Sequence, residues 1–133
     1  MSYYMSPKQS RPTDSELEIL TVLWSRGAST VREVYEVLRK RRKTAEYSTT
    51  LKFMQIMAQK GLLKRDDTDR AHVYDPIHSR EWMQQQLAGD LLQRGFDWSM
   101  KDLMIGALSA RKASKEELIE LRKLLDDYEK RKR

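Results

Sequence analysis

Wound as a helix at ~100° per residue, the stretch from Tyr47 to Gly61 divides into two faces that need different surroundings. Thr50, Phe53, Met54 and Met57 recur at helical spacing and form a stripe that belongs in a core. Ser48, Lys52, Gln55 and Gln59 fall on the opposite face, which is polar and free of carboxylates. A solvated helix face ordinarily mixes Glu with Lys, whereas acids are disfavoured on a face that approaches phosphates and base edges. Ser, Thr, Lys and Gln are the side chains that donate to phosphate oxygens or read bases in a major groove. Gly61 supplies a C-terminal stop, and a candidate hairpin follows. Helix then hairpin is the reading half of a winged helix-turn-helix. The competing reading of the face is an ordinary polar surface.

The residues on either side supply the rest of such a domain. Thr13 with Glu16 fits a capping box and opens a helix with Leu17, Leu20 and Trp24 on one face, widened by Ile19 and Leu23 and stopped by Gly27. Thr30 with Glu33 fits a second box, and Val31, Val34, Tyr35 and Leu38 continue as a stripe. That helix ends in the cationic run from Arg39 to Lys43. Cations suit a helix C-terminus, but five in a row exceed that need, so Arg39, Arg41, Arg42 and Lys43 are candidates for phosphate contact. Beyond Gly61, Leu62 to Arg65, an Asp-rich turn from Asp66 to Asp69, and Arg70 to Tyr74 read as strand, turn and strand, closed by Pro76. Arg65, Arg70 and His72 could touch a DNA backbone from such a wing, with Arg70 the foremost candidate. The winged helix is expected over 13–77. Residues 1–12 form a polar arm with Lys8 and Arg11, expected to be flexible and of a kind that can reach a minor groove.

Composition narrows the chemistry. The 133 residues carry a net charge of +6 with 35% charged side chains, a moderate bias toward a polyanionic partner. The absence of cysteine excludes disulfides and thiolate metal sites. The two histidines, His72 and His78, lie in or just after the hairpin. No HExxH, glycine-rich phosphate loop or nucleophile elbow is present. No enzyme activity, no metal and no cofactor is expected. With no apolar run near the ~18 residues of a membrane span and no signal-peptide core, the expectation is a cytoplasmic protein without a membrane partner.

From Ser79 the chain changes character. Ser79 is placed to cap a helix bearing Trp82, Met83, Leu87, Leu91 and Leu92, with Gly95 as its expected stop. Ser99 with Asp102 opens another, bearing Met100, Leu103, Met104, Ala107 and Leu108. Ser114 with Glu117 fits a further capping box and opens a last helix, bearing Leu118, Leu121, Leu125 and Tyr128. Three such helices bury little alone, so 78–133 is expected to be a helical dimerisation domain. The residues assigned to that interface are Met83, Leu87, Leu91, Leu103, Met104, Leu108, Leu118, Leu121 and Leu125. The alternative is that these helices fold back on the first domain in a monomer.

In this order the elements resemble the penicillinase-repressor family, the BlaI/MecI/CopY type. The likeness rests on Glu16 to Leu20 with Leu23 and Trp24, on Thr30 to Tyr35, and on Tyr47-Ser48-Thr49. It extends to Lys60-Gly61-Leu62, Arg70-Ala71-His72 with Tyr74, and Ser114 to Leu118, covering residues 13 to 128. The resemblance implies a mainly α fold with a small β-hairpin wing, and a homodimeric transcriptional repressor in a bacterial cytoplasm that binds a palindromic operator on double-stranded DNA. The family's DNA contacts fall by position on Ser48, Thr49, Leu51 and Lys52; the face itself adds Gln55, and the wing His72. Leu51 departs from the polar or basic residue common there. The bond cleaved in antibiotic-resistance members falls near Gly106-Ala107, where the Asn-Phe type of site is missing, so neither an inducer nor a protease is assigned. The cysteine tail of the copper-responsive branch is missing too. A winged helix that binds protein instead of DNA is the rival function; the acid-free face argues against it.

Overall fold

The computed structural model describes residues 11–68 and 70–132. The expected flexible arm lies, over residues 1–10, outside the described residues, as does Asp69 of the turn. Among the described residues, six helices and a small antiparallel sheet follow the order α1 (Asp14–Arg26), β1 (Ser29–Thr30), α2 (Val31–Arg41), α3 (Tyr47–Gln59), β2 (Leu63–Asp66), β3 (Val73–Pro76), α4 (Arg80–Phe96), α5 (Met100–Ala110) and α6 (Lys115–Lys132). The architecture is a winged helix-turn-helix followed by C-terminal helices.

Local chemistry sets the helix starts. Thr13 accepts from the Glu16 amide while the Glu16 carboxylate accepts from the Thr13 amide, and Thr30 and Glu33 repeat the arrangement for α2. These reciprocal bonds satisfy amides that have no partner within the helix. Glu16 is also buried, and a buried carboxylate needs compensation. It receives Lys60 Nζ at 2.7 Å, and the same ammonium donates to the Arg11 carbonyl at 3.1 Å. Arg11 in turn pairs with Asp90 at 2.7 Å. The described end of the N-terminal arm is therefore tied down.

α3 ends as its sequence implies. Gly61 sits at φ +81, the Leu62 amide donates to the Met57 carbonyl at 2.9 Å, and the Gly61 amide donates to Ala58 at 3.3 Å. This is a Schellman turn, for which a residue without Cβ is suited. Gly95 does not behave in this way. α4 runs through it to Phe96, and the reversal is carried by Asp97 and Trp98, both with positive φ. A glycine inside a helix costs only ~1 kcal/mol relative to alanine, less than flanking helical residues recover.

The core of the first compact unit is built from Ile19, Leu20, Val22 and Leu23 of α1, Val31, Val34 and Leu38 of α2, and Met54 and Met57 of α3. Leu62, Leu63, Tyr74 and Met83 complete it. Leu17, Trp24 and Phe53 pack at its edge, and the Trp24 indole donates to the His78 carbonyl at 3.1 Å. Tyr35, expected in the α2 stripe, is only partly buried and meets Tyr47 edge-on at 5.8 Å.

The wing is a three-stranded sheet in the order β1-β3-β2, with Leu63 opposite Pro76 and Arg65 opposite Tyr74. Ser29 pairs with Tyr74 and Thr30 with Val73, so the loop before α2 forms the third strand. Within the turn, Asp66 accepts from the Thr68 amide and hydroxyl at 3.0 and 2.8 Å, and these bonds, chiefly the amide's, lower its carboxyl pKa.

The first compact unit ends at Asp90 and the second begins at Leu91, so the division falls inside α4 and not at the expected 77/78. The reason is packing: Trp82, Met83 and Leu87 on the first turns of α4 belong to the first unit's core. Met83 is 1% exposed there, which corrects its assignment to a dimer face, and Leu87 is likewise engaged with that core. In the second unit, Ser99 and Ser114 accept from the Asp102 and Glu117 amides at 3.0 and 3.1 Å. Glu117 directs its carboxylate to Arg111 at 2.7 Å, where a reciprocal capping bond was expected.

The Glu33 carboxyl pKa lies below the ordinary glutamate value, first because its carboxylate accepts the Thr30 amide. A lowered folded-state pKa means that this stabilisation is complete above the ordinary pKa and is lost as pH falls through the folded one. Glu33→Gln is expected to lower stability modestly at pH 7 and to flatten its decline below about pH 5. Urea midpoints measured across a pH series check this; parallel wild-type and variant curves would remove Glu33 from the acid response.

Candidate nucleic-acid interface

With Thr50, Met54 and Met57 buried, helical geometry turns the remainder of α3 outward. Ser48, Thr49, Lys52 and Gln55 are all exposed, while Leu51 is partly buried and packs against the core. Leu51 therefore divides its surface between the core and an open cleft.

That cleft lies between α3, the start of α2 and the wing. Arg32, Tyr47, Leu51, Gln55, Arg65, Arg70 and His72 are among the side chains that line it. It brings Gln55, Arg70 and His72 together and adds Arg32. The Arg32 guanidinium lies 4.6 Å from the Tyr47 ring centroid and 5.7 Å from that of Tyr35, distances at which ring and cation attract. The stack holds a planar five-donor fork at the cleft edge, the geometry that suits phosphate. In sequence Arg32 reads as one solvated helix cation; only the fold of α2 against Tyr47 reveals it.

The wing partly neutralises itself. Asp67 accepts from Arg65 Nε at 2.8 Å and lies 2.6 Å from His72 Nδ1. The Arg65 guanidinium pKa is raised, first by the Tyr74 hydroxyl and then by Asp67. Arg70 is exposed beside this group, and no ion pair involves it among the described residues.

The cationic run at the end of α2 is divided in two. Arg42 donates to both Glu18 carboxylate oxygens at 2.7 and 2.9 Å, and Arg41 approaches the same carboxylate at 3.6 Å. Arg39 donates to the Tyr35 hydroxyl at 2.8 Å. Arg39 and Lys43 share an open surface with Tyr47 and Ser48, whereas Arg42 borders a groove with Glu18 and Thr49. Arg39 and Lys43 thus join the face of α3, and Arg41 and Arg42 are drawn toward α1.

Among the described residues, no group of three or more His, Cys, Asp or Glu could hold a metal ion, and no helix is long and apolar enough to cross a membrane. In the second unit, Leu91, Met104, Leu108 and Leu125 are exposed, Leu125 to 63%. Leu103, Leu118 and Leu121 are partly buried within the unit.

The model of the penicillinase-repressor family matches residues 12–127. The chain belongs to that family. It is 38% identical over 91 residues to the transcriptional regulator BlaI of two Mycobacterium tuberculosis strains, a match over 68% of this chain. The chain spans 65% of the length of those mycobacterial relatives. The penicillinase repressor of Bacillus licheniformis is 27% identical over 124 residues, 91% of this chain and 94% of that protein. In this family member, the row on α3 and the arginine-lined cleft are contiguous through Tyr47 and Gln55.

Two substitutions separate free from neutralised cations. Arg32→Ala is expected to weaken DNA binding and to reduce the slope of log affinity against log salt by about one unit for the lost phosphate contact. Glu18→Gln releases Arg41 and Arg42 and is expected to tighten binding and steepen that slope. Salt titrations by fluorescence anisotropy measure both; two slopes equal to wild type would detach these residues from the phosphates.

Proposed function

We propose that the chain is a sequence-specific DNA-binding transcriptional repressor that acts in the cytoplasm as a homodimer on a palindromic operator. The observation that carries this reading is the exposed row Ser48, Thr49, Lys52 and Gln55 on a helix whose other face is buried, flanked by the Arg32–Arg70 cleft. Such a helix fits a major groove with the row against base edges, while the cleft and the Arg39–Lys43 side neutralise the flanking phosphates. Leu51 suits apolar contact with a thymine methyl. Bound over a promoter, the protein would block polymerase access. The repressor and regulator relatives support this reading, and their family offers no enzymatic rival.

The dimer reading rests on the second unit. Its exposed leucines and methionines on α4, α5 and α6 form apolar surface that a second copy would cover, and a two-fold axis would set two α3 helices across half-sites ~10 bp, or a multiple of that, apart.

Capture of genomic fragments at near-physiological salt, followed by sequencing, is expected to return a short palindrome. DNA without a shared sequence would overturn specific repression. Sedimentation is expected to give a dimer that Met104→Asp with Leu125→Asp converts to monomers, with operator affinity falling at least tenfold as the two half-sites cease to be linked. A monomeric wild type would overturn the dimer.

A further inference from the structure

α3 starts differently from its neighbours. The other five helices begin with a Thr or Ser oxygen accepting from a first-turn amide. The N-cap of α3 is Glu46, in extended conformation at φ −123 and ψ 143, and its side chain makes no capping bond. Its backbone carbonyl is fully engaged, accepting from the Thr50 amide at 3.1 Å and the Thr50 hydroxyl at 3.0 Å. The residue is exposed. Its carboxylate takes part in no ion pair among the described residues, although Arg39 and Lys43 line the surface on one side of it and Arg42 the groove on the other. Glu16, Glu18 and Glu33 of the same unit are bonded to a cation, whereas Glu36 and Glu81, like Glu46, take part in no ion pair among the described residues.

What distinguishes Glu46 from these is its place at the head of α3. The helix dipole tolerates an acid at this end, but Glu is not among the preferred N-cap residues, and no cap is made. The position is adjacent to Tyr47 and Ser48, at the end of the recognition helix whose residues meet base edges in helix-turn-helix docking. Against phosphate an acid is repelled, so it can be accommodated only by a donor. The major groove offers two amino donors, N4 of cytosine and N6 of adenine. Adenine presents N7 beside its amino group, and that acceptor repels a carboxylate; cytosine presents the donor alone.

Resting on the DNA-binding reading of α3, we propose that Glu46 is a specificity-determining residue whose carboxylate accepts the N4 amino hydrogen of a cytosine in each half-site. The same charge penalises half-sites that place no donor there. The face of α3 then reads with donors along Ser48, Thr49, Lys52 and Gln55 and with one acceptor at its leading end.

The test is selection of randomised double-stranded oligonucleotides by full-length wild type, Glu46→Gln and Glu46→Asp, with thermal melting of each protein. Glu46→Asp keeps the charge and is a better N-cap residue, so it guards against loss of fold. Wild type is expected to enrich cytosine at one fixed position per half-site. Glu46→Gln should retain the other preferred bases and lose that cytosine preference by roughly fivefold or more, while binding unselected DNA more tightly. Glu46→Asp, too short to reach as well, should weaken the preference. Retention of the wild-type cytosine preference by both variants, or its absence from a wild type that selects other bases, would overturn the assignment and leave the repressor reading intact. A wild type that enriches no sequence at all would overturn that reading and this inference with it.

Discussion

Burial of Met54 and Met57, both without exposed surface, sets the rotation of α3, and the interface depends on that rotation. Their side chains enter a core already supplied by α1, α2, Leu62, Leu63 and Tyr74. A helix pinned on one side at helical spacing has no freedom about its axis, so Ser48, Lys52 and Gln55 face outward together. Truncation of either methionine would cost about 2–5 kcal/mol, a large part of a small domain's stability. The lateral placement is secured by polar bonds: Glu16 receives Lys60 from the end of α3, and Thr50 bonds back to Glu46 at its start.

Charge is distributed less simply than composition suggests. The net +6 does not mean that every arginine near α3 is free to meet phosphate. Glu18 occupies two of them and Asp67 engages Arg65 and His72. Exposed pairs of this kind contribute little to stability; their larger effect is to restrict which cations stand ready. What remains beside the recognition helix is a smaller set: Arg32 stacked on Tyr47, Arg70 in the wing, and Lys52 and Lys43.

Much of this was legible in the residues because it is local. Thr13–Glu16 and Thr30–Glu33 carry their caps in sequence, the α3 stripe has a clean period, and Gly61 marks the helix stop. The parts that were not legible depend on contacts between distant segments. Glu18 neutralises arginines of another helix. Ser29 and Thr30 form a strand only because β3 lies beside them, and two residues carry no periodicity. Met83 reads like its neighbours on α4, yet it is absorbed by the first unit's core. Gly95 looks like Gly61 in sequence, but the left-handed turn falls on Asp97 and Trp98 instead.

The short pairing of Ser29 and Thr30 with Tyr74 and Val73 has a mechanical consequence. Thr30 is at once a rung of the sheet and the cap of α2. The base of the wing and the helix that carries Arg32 are therefore joined through one residue and move as a single body. The ladder stops at Asp66 and Val73, so Arg70 lies beyond this joined base, whereas Arg32 is built into it.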